Sequence, residues 1–125
     1  MSFNLTIGWK PYEVDFRGHK ITMELRPLKR WASMLLTPIY LEAADMKANK
    51  KKKVTADEAN FSYRIQELGM KIFPDHLRSL SGLQINNVDI TINNLCDESI
   101  FASVVMDVMA ELSSRSQLKD NEVKN

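Results

Sequence analysis

Tyr12-Glu13-Val14-Asp15-Phe16 and Ile21-Thr22-Met23-Glu24-Leu25 each alternate apolar with polar residues, and Arg17-Gly18-His19-Lys20 separates the two runs. Alternation with period two marks a strand with one buried face, because successive side chains leave a strand on opposite sides. A glycine between two such runs supplies the turn conformation that a β-carbon resists. The segment from about Lys10 to Arg26 is therefore predicted to be a β-hairpin.

Downstream the period changes. Pro27 fits at or just before a first helical turn, where its missing N–H costs nothing. Leu28, Trp31, Leu35, Ile39, Ala43 and Met46 recur at three or four residues, the spacing of one helical face. A helix is expected to about Lys47, kinked or broken in two at Pro38. Lys47 to Lys53, ending in four consecutive lysines, is expected to be a solvated loop because like charges repel at this density. Thr55 with Glu58 makes a capping box for a second helix, from about Thr55 to Phe73. Phe61, Ile65, Leu68 and Ile72 form its apolar face, and Pro74 is expected to stop it.

From Pro74 to Asn94 no helical period survives. Leu83 and Ile85, the pair Asn86-Asn87, and Val88, Ile90 and Ile92 suggest a short hairpin or irregular β segment. Asp97 is the expected N-cap of a third main helix, with Ile100, Phe101, Val104, Val105, Val108, Met109 and Leu112 on its apolar face. Glu111 and Arg115 form an i, i+4 pair on the outer side. The expected architecture is α+β: an N-terminal β-hairpin, then a small bundle of three main helices with a short irregular β segment before the last. Residues 1–115 form a single globular domain, and 116–125 a mobile polar tail.

At 125 residues, with 44% apolar and 26% charged residues, the chain has material for one core and is too apolar to be disordered throughout. A net charge of +1 argues against a dedicated nucleic-acid surface, where a basic face normally dominates affinity. Cys96 is the only cysteine, so no internal disulfide forms, and a cytosolic setting is expected. The first ten residues lack the pattern of a secretory signal, and no segment reaches the ~20 apolar residues that span a bilayer.

Chemistry-bearing residues are sparse. Cys96 with His76 and Asp75 or Asp97 is the one set resembling a nucleophile and base, but a cysteine just before a helix cap more often staples onto residue N4, here Phe101. His19 and His76 lie in different elements, so no metal-ligand spacing is present, and His19 reads as a turn residue. Asp57-Glu58 and Asp97-Glu98 fall at expected helix starts, where carboxylates favour capping over acid/base work. Four glycines without a phosphate-binding spacing give nucleotide binding no support. Lys50 to Lys53 lacks interleaved aromatics, so solvent is a better partner for it than nucleic acid. Trp9, Tyr12 and Trp31 could form a binding patch, although aromatics at these spacings are usually core. The methionines, among them Met34, Met46, Met70, Met106 and Met109, read first as core filler and second as a permissive groove. No catalytic, cofactor-binding or metal-binding residue is assigned, and no enzyme activity, cofactor or membrane association is expected.

One order of parts stands out: the hairpin leading into Leu25-Arg26-Pro27-Leu28 with Trp31 one turn on, then Asp75-His76-Leu77 and Gly82-Leu83. A Phe-containing amphipathic helix and the polar end Ser116-Gln117-Leu118-Lys119-Asp120-Asn121-Glu122-Val123-Lys124-Asn125 follow. This order resembles the tail assembly chaperones of long-tailed bacteriophages and prophages. The resemblance implies a non-enzymatic protein of the bacterial host cytoplasm that binds the tape-measure protein, keeps its long apolar helices soluble and recruits tail-tube subunits. Many such chaperones also exist in a longer form made by ribosomal slippage, and an A-rich slippery sequence can encode Val123-Lys124-Asn125. The competing reading is a structural phage tail or head-tail connector subunit.

Overall fold

The computed structural model describes residues 8–48 and 56–116, with the backbone alone over 43–48 and 56–59. Strands β1 (Lys10–Phe16) and β2 (His19–Leu25) form the expected hairpin, in register from Lys10 opposite Leu25 to Phe16 opposite His19. The turn is tighter than the sequence reading allowed. Arg17 and Gly18 alone make it, at φ of 51° and 84°, and both positive angles match the twist of the flanking strands. His19 is thus the first residue of β2 and not a turn residue. Val14, Ile21, Met23 and Leu25 are buried, as the alternation requires.

Helix α1 (Arg30–Ala48) is continuous through Pro38, so the expected break into two helices is absent. Its buried face also differs from the sequence reading. Ala32 and Leu36 face the core and Ile39 and Tyr40 pack partly against it, while Trp31 and Leu35 are exposed. Apolar residues surround this helix, so spacing alone did not choose between two rotations, and contact with the rest of the fold did.

Helix α2 (Ala56–His76) buries Phe61, Ile65 and Ile72 as anticipated, but runs three residues past Phe73 with Pro74 inside it. Its last turn is held from outside: Phe73, His76 and the following Leu77 are buried, and the His76 ring bonds the Ile72 carbonyl. Strand β3 (Leu77–Ser81) then pairs antiparallel with β2, completing a three-stranded sheet in the order β1-β2-β3. Sequence reading missed β3 because its register shifts between Thr22 and Glu24, and Ser79 sits at φ 59°. A bulge puts two consecutive residues, Arg78 and Ser79, outward and erases the period of two.

The expected small hairpin is present as β4 (Gln84–Ile85) and β5 (Val88–Asp89), with Asn86 and Asn87 at φ of 51° and 66° forming its turn. Asp97 does not cap a helix. It ends an unforeseen short helix, α3 (Ile92–Asp97), which Thr91 caps by accepting from the Asn94 amide while the Asn94 side chain accepts from the Thr91 N–H. A 3-10 turn at Ser99–Phe101 leads into α4 (Ala102–Ser116), so the last helix starts later than expected. Phe101, Val104, Val105, Val108, Met109 and Leu112 form its buried side, whereas Ile100 is exposed. Phe101 packs on Phe16 of β1 at 4.8 Å between ring centres, joining helix to sheet in one core.

Lys47 and Ala48 belong to α1, and the expected lysine loop at 49–53 lies outside the described residues, as does Thr55. The Asp57 and Glu58 side chains, the Ala43 and Met46 side chains, and residues 117–125 of the expected tail also lie outside them. Ser116 is still helical. Its hydroxyl donates to the Leu112 carbonyl at 2.7 Å and accepts from the Leu28 amide at 2.6 Å.

Arg115 fastens α4 to the sheet. Nη1 donates to the carbonyls of Lys10 and Leu25 at 2.9 and 3.2 Å, Nη2 to that of Pro11 at 2.8 Å, and Nε to Glu111 at 2.7 Å. The Glu111 pairing was legible in the sequence; the three carbonyls were not. Arg115→Ala is expected to lower the free energy of unfolding by about 3 kcal/mol, since hydrogen bonds from a charged donor contribute roughly 1.5–3 kcal/mol and carbonyls lose partners. Glu111→Ala, which removes one contact, should cost about 1 kcal/mol. Urea unfolding of both variants checks the ordering; equal losses would make the ion pair, and not the carbonyl clamp, the dominant contact.

Candidate functional site

The residues that could have formed a nucleophilic pair are each committed elsewhere. Cys96 is buried in α3 with its Sγ packed against Gly69 of α2: a β-carbon at Gly69 would sit 2.9 Å from that sulfur. Gly69 is therefore set by the close approach of two helices, and the expected staple of Cys96 onto Phe101 gives way to a seat on α2. Burial pushes the Cys96 thiol up to about 12, far from a thiolate at neutral pH.

His76 is fully buried at the C-terminal end of α2, and both ring nitrogens are engaged. Nε2 accepts the Lys29 amide at 2.9 Å, so it carries no proton, and Nδ1–H donates to the Ile72 carbonyl at 2.7 Å. The ring is thus held as one neutral tautomer, with neither nitrogen free to take a proton from a thiol. Burial is the largest cause pulling its pKa below the usual 6.5, with Arg26 and Lys29 adding to the effect against Asp75 and the Ile72 bond. Asp75 and Asp97 are exposed. The set Cys96, His76, Asp75 and Asp97 is not assembled into a site.

Among the described residues Gln66 is the other buried polar side chain, and its Nε2 donates to the carbonyls of Leu95 and Glu98 at 3.0 and 2.7 Å, closing the end of α3. His19 lies in β2, away from the α2 end that holds His76, and among the described residues no cluster of three or more His, Cys, Asp or Glu side chains could hold a metal ion. No described helix is long and apolar enough to cross a membrane.

The three aromatics considered as one patch are separated. Trp9 is half-buried under the Arg78 guanidinium, 4.4 Å from its ring centre, while Arg78 and Ser79 also bond Glu24. These hydrogen bonds, that from Ser79 first, hold the Glu24 carboxyl below the usual carboxylate range. Tyr12 lies beside Arg115 at 5.8 Å. Trp31 is on α1, its ring edge-on to His76 at 5.6 Å and its outer side in solvent.

Trp31 opens the one surface that the geometry singles out. From Trp31 to Leu41 the sequence of α1 contains no charged residue, yet half of the helix faces outward. Met34 and Leu41 keep 61% and 68% of their surface exposed, Leu35 keeps 42%, and Pro38 lies between them. Trp31, Met34, Pro38 and Leu41 follow one another at three, four and three residues, with Leu35 alongside, so they form one stripe along the helix. Sequence reading had Trp31 and Leu35 in the core; the signal that they were not is the second apolar set, Ala32, Leu36 and Tyr40, one position on. Met34, Met70 and Met106 are exposed and Met109 buried, so the core-filler reading holds for Met109 and fails for the other three.

Comparison with protein-family models, with curated proteins and with solved structures found no match for this chain.

Two measurements check the reading of these side chains. Native chain treated with iodoacetamide at about pH 8 should keep its Cys96 thiol unmodified by mass spectrometry, while urea-unfolded chain reacts once. Because His76 is held below its unfolded value, its contribution to stability is complete above 6.5 and is lost as pH falls through the lower folded value. The urea midpoint is expected to drop on acidification from 6.5. His76→Gln, less stable throughout, should lack that component; parallel curves for the two proteins would refute the assignment.

Proposed function

We propose that this chain is a non-catalytic phage tail assembly chaperone that binds the tape-measure protein in the bacterial cytoplasm and aids tail-tube assembly. The observation that carries the reading is the outer face of α1. A helical stretch with no charged residue from Trp31 to Leu41 and apolar side chains on both sides has the composition of a buried helix, and here one side has no cover among the described residues. A protein that shields long apolar helices until they assemble needs such a face, open in the free state and covered when a client is present.

The rest of the molecule suits a binding module. Its core is continuous through sheet and helices, Arg115 and Ser116 tie the last turn of α4 to Lys10 and Leu28, and the buried thiol and imidazole serve packing and bonding. Rigid support behind an adaptable surface favours binding, since little order has to be created when the partner arrives. Methionine and leucine on that face accept varied apolar partners, because Met side chains adapt their shape at low cost.

The test is capture of the tagged full chain from the cell that makes it, with partners identified by mass spectrometry and finished particles probed for the same chain. The expected outcome is a long tape-measure protein in the capture and no chain in the particles. Many copies in finished particles would instead make it a structural tail or connector subunit, and absence of any phage partner would overturn the family reading.

A further inference from the structure

We draw no further inference here: the strongest candidate, the exposed apolar stripe of Trp31, Met34, Pro38 and Leu41 on the outer face of α1, carries nothing because nothing in the structure shows what covers it.

Discussion

Between Leu25 and Lys29 the backbone belongs to neither strand nor helix, and Pro27 keeps it from becoming either. Polar groups in such a segment must find partners elsewhere, since a buried backbone group without one costs about 1–3 kcal/mol. Here they find them at two helix ends. The Leu25 carbonyl accepts from Arg115, and the Leu28 amide bonds Ser116, both on the last turn of α4. The Arg26 amide donates to the His76 carbonyl, and the Lys29 amide to the His76 ring, both at the end of α2. Two helix ends distant in sequence converge on the link that joins β2 to α1.

That convergence sets the course of α1. With the Leu28 and Lys29 amides pinned, the first turn is placed, and the buried side falls on Ala32 and Leu36. Trp31 then rests its ring edge on His76 and shows its other side to solvent. Further along, burial raises the pKa of Tyr40, against a smaller opposing effect of the Ser113 side chain. The apolar stripe is a consequence of this docking. A helix turned by one residue would have hidden Trp31 and Leu35 and exposed Leu36.

The same junction occupies both ring nitrogens of His76. A histidine reads from sequence as a candidate base because its chemistry is known and its neighbours are not. Folding gave both His76 nitrogens to the backbone and gave the Cys96 sulfur to the surface of Gly69. Desolvation without a nearby cation then moves the thiol away from reactivity, the reverse of what a nucleophile requires. The candidate binding face was only half legible beforehand. Trp31, Met34 and Leu35 could be seen as apolar, but periodicity cannot tell a core face from a docking face when a helix carries both.

By itself the sequence determined every element whose pattern is local and repeated over several residues. The hairpin was readable from alternation and Gly18, the α2 and α4 cores from helical spacing, and the β4–β5 turn from Asn86-Asn87. Tertiary structure alone decided the rest. Strand β3 exists through pairing with β2 across a bulge, α2 outruns Pro74 because His76 is buried and bonded, and α3 is too short for its period to show, with only Thr91 and Asn94 marking its start. Which face of α1 is left open was also settled there. For β3, the end of α2 and the open face of α1 the deciding contacts, pairing with β2 and the Lys29 amide on His76 among them, join residues far apart in the chain, and such contacts leave no periodic trace in the residues between them.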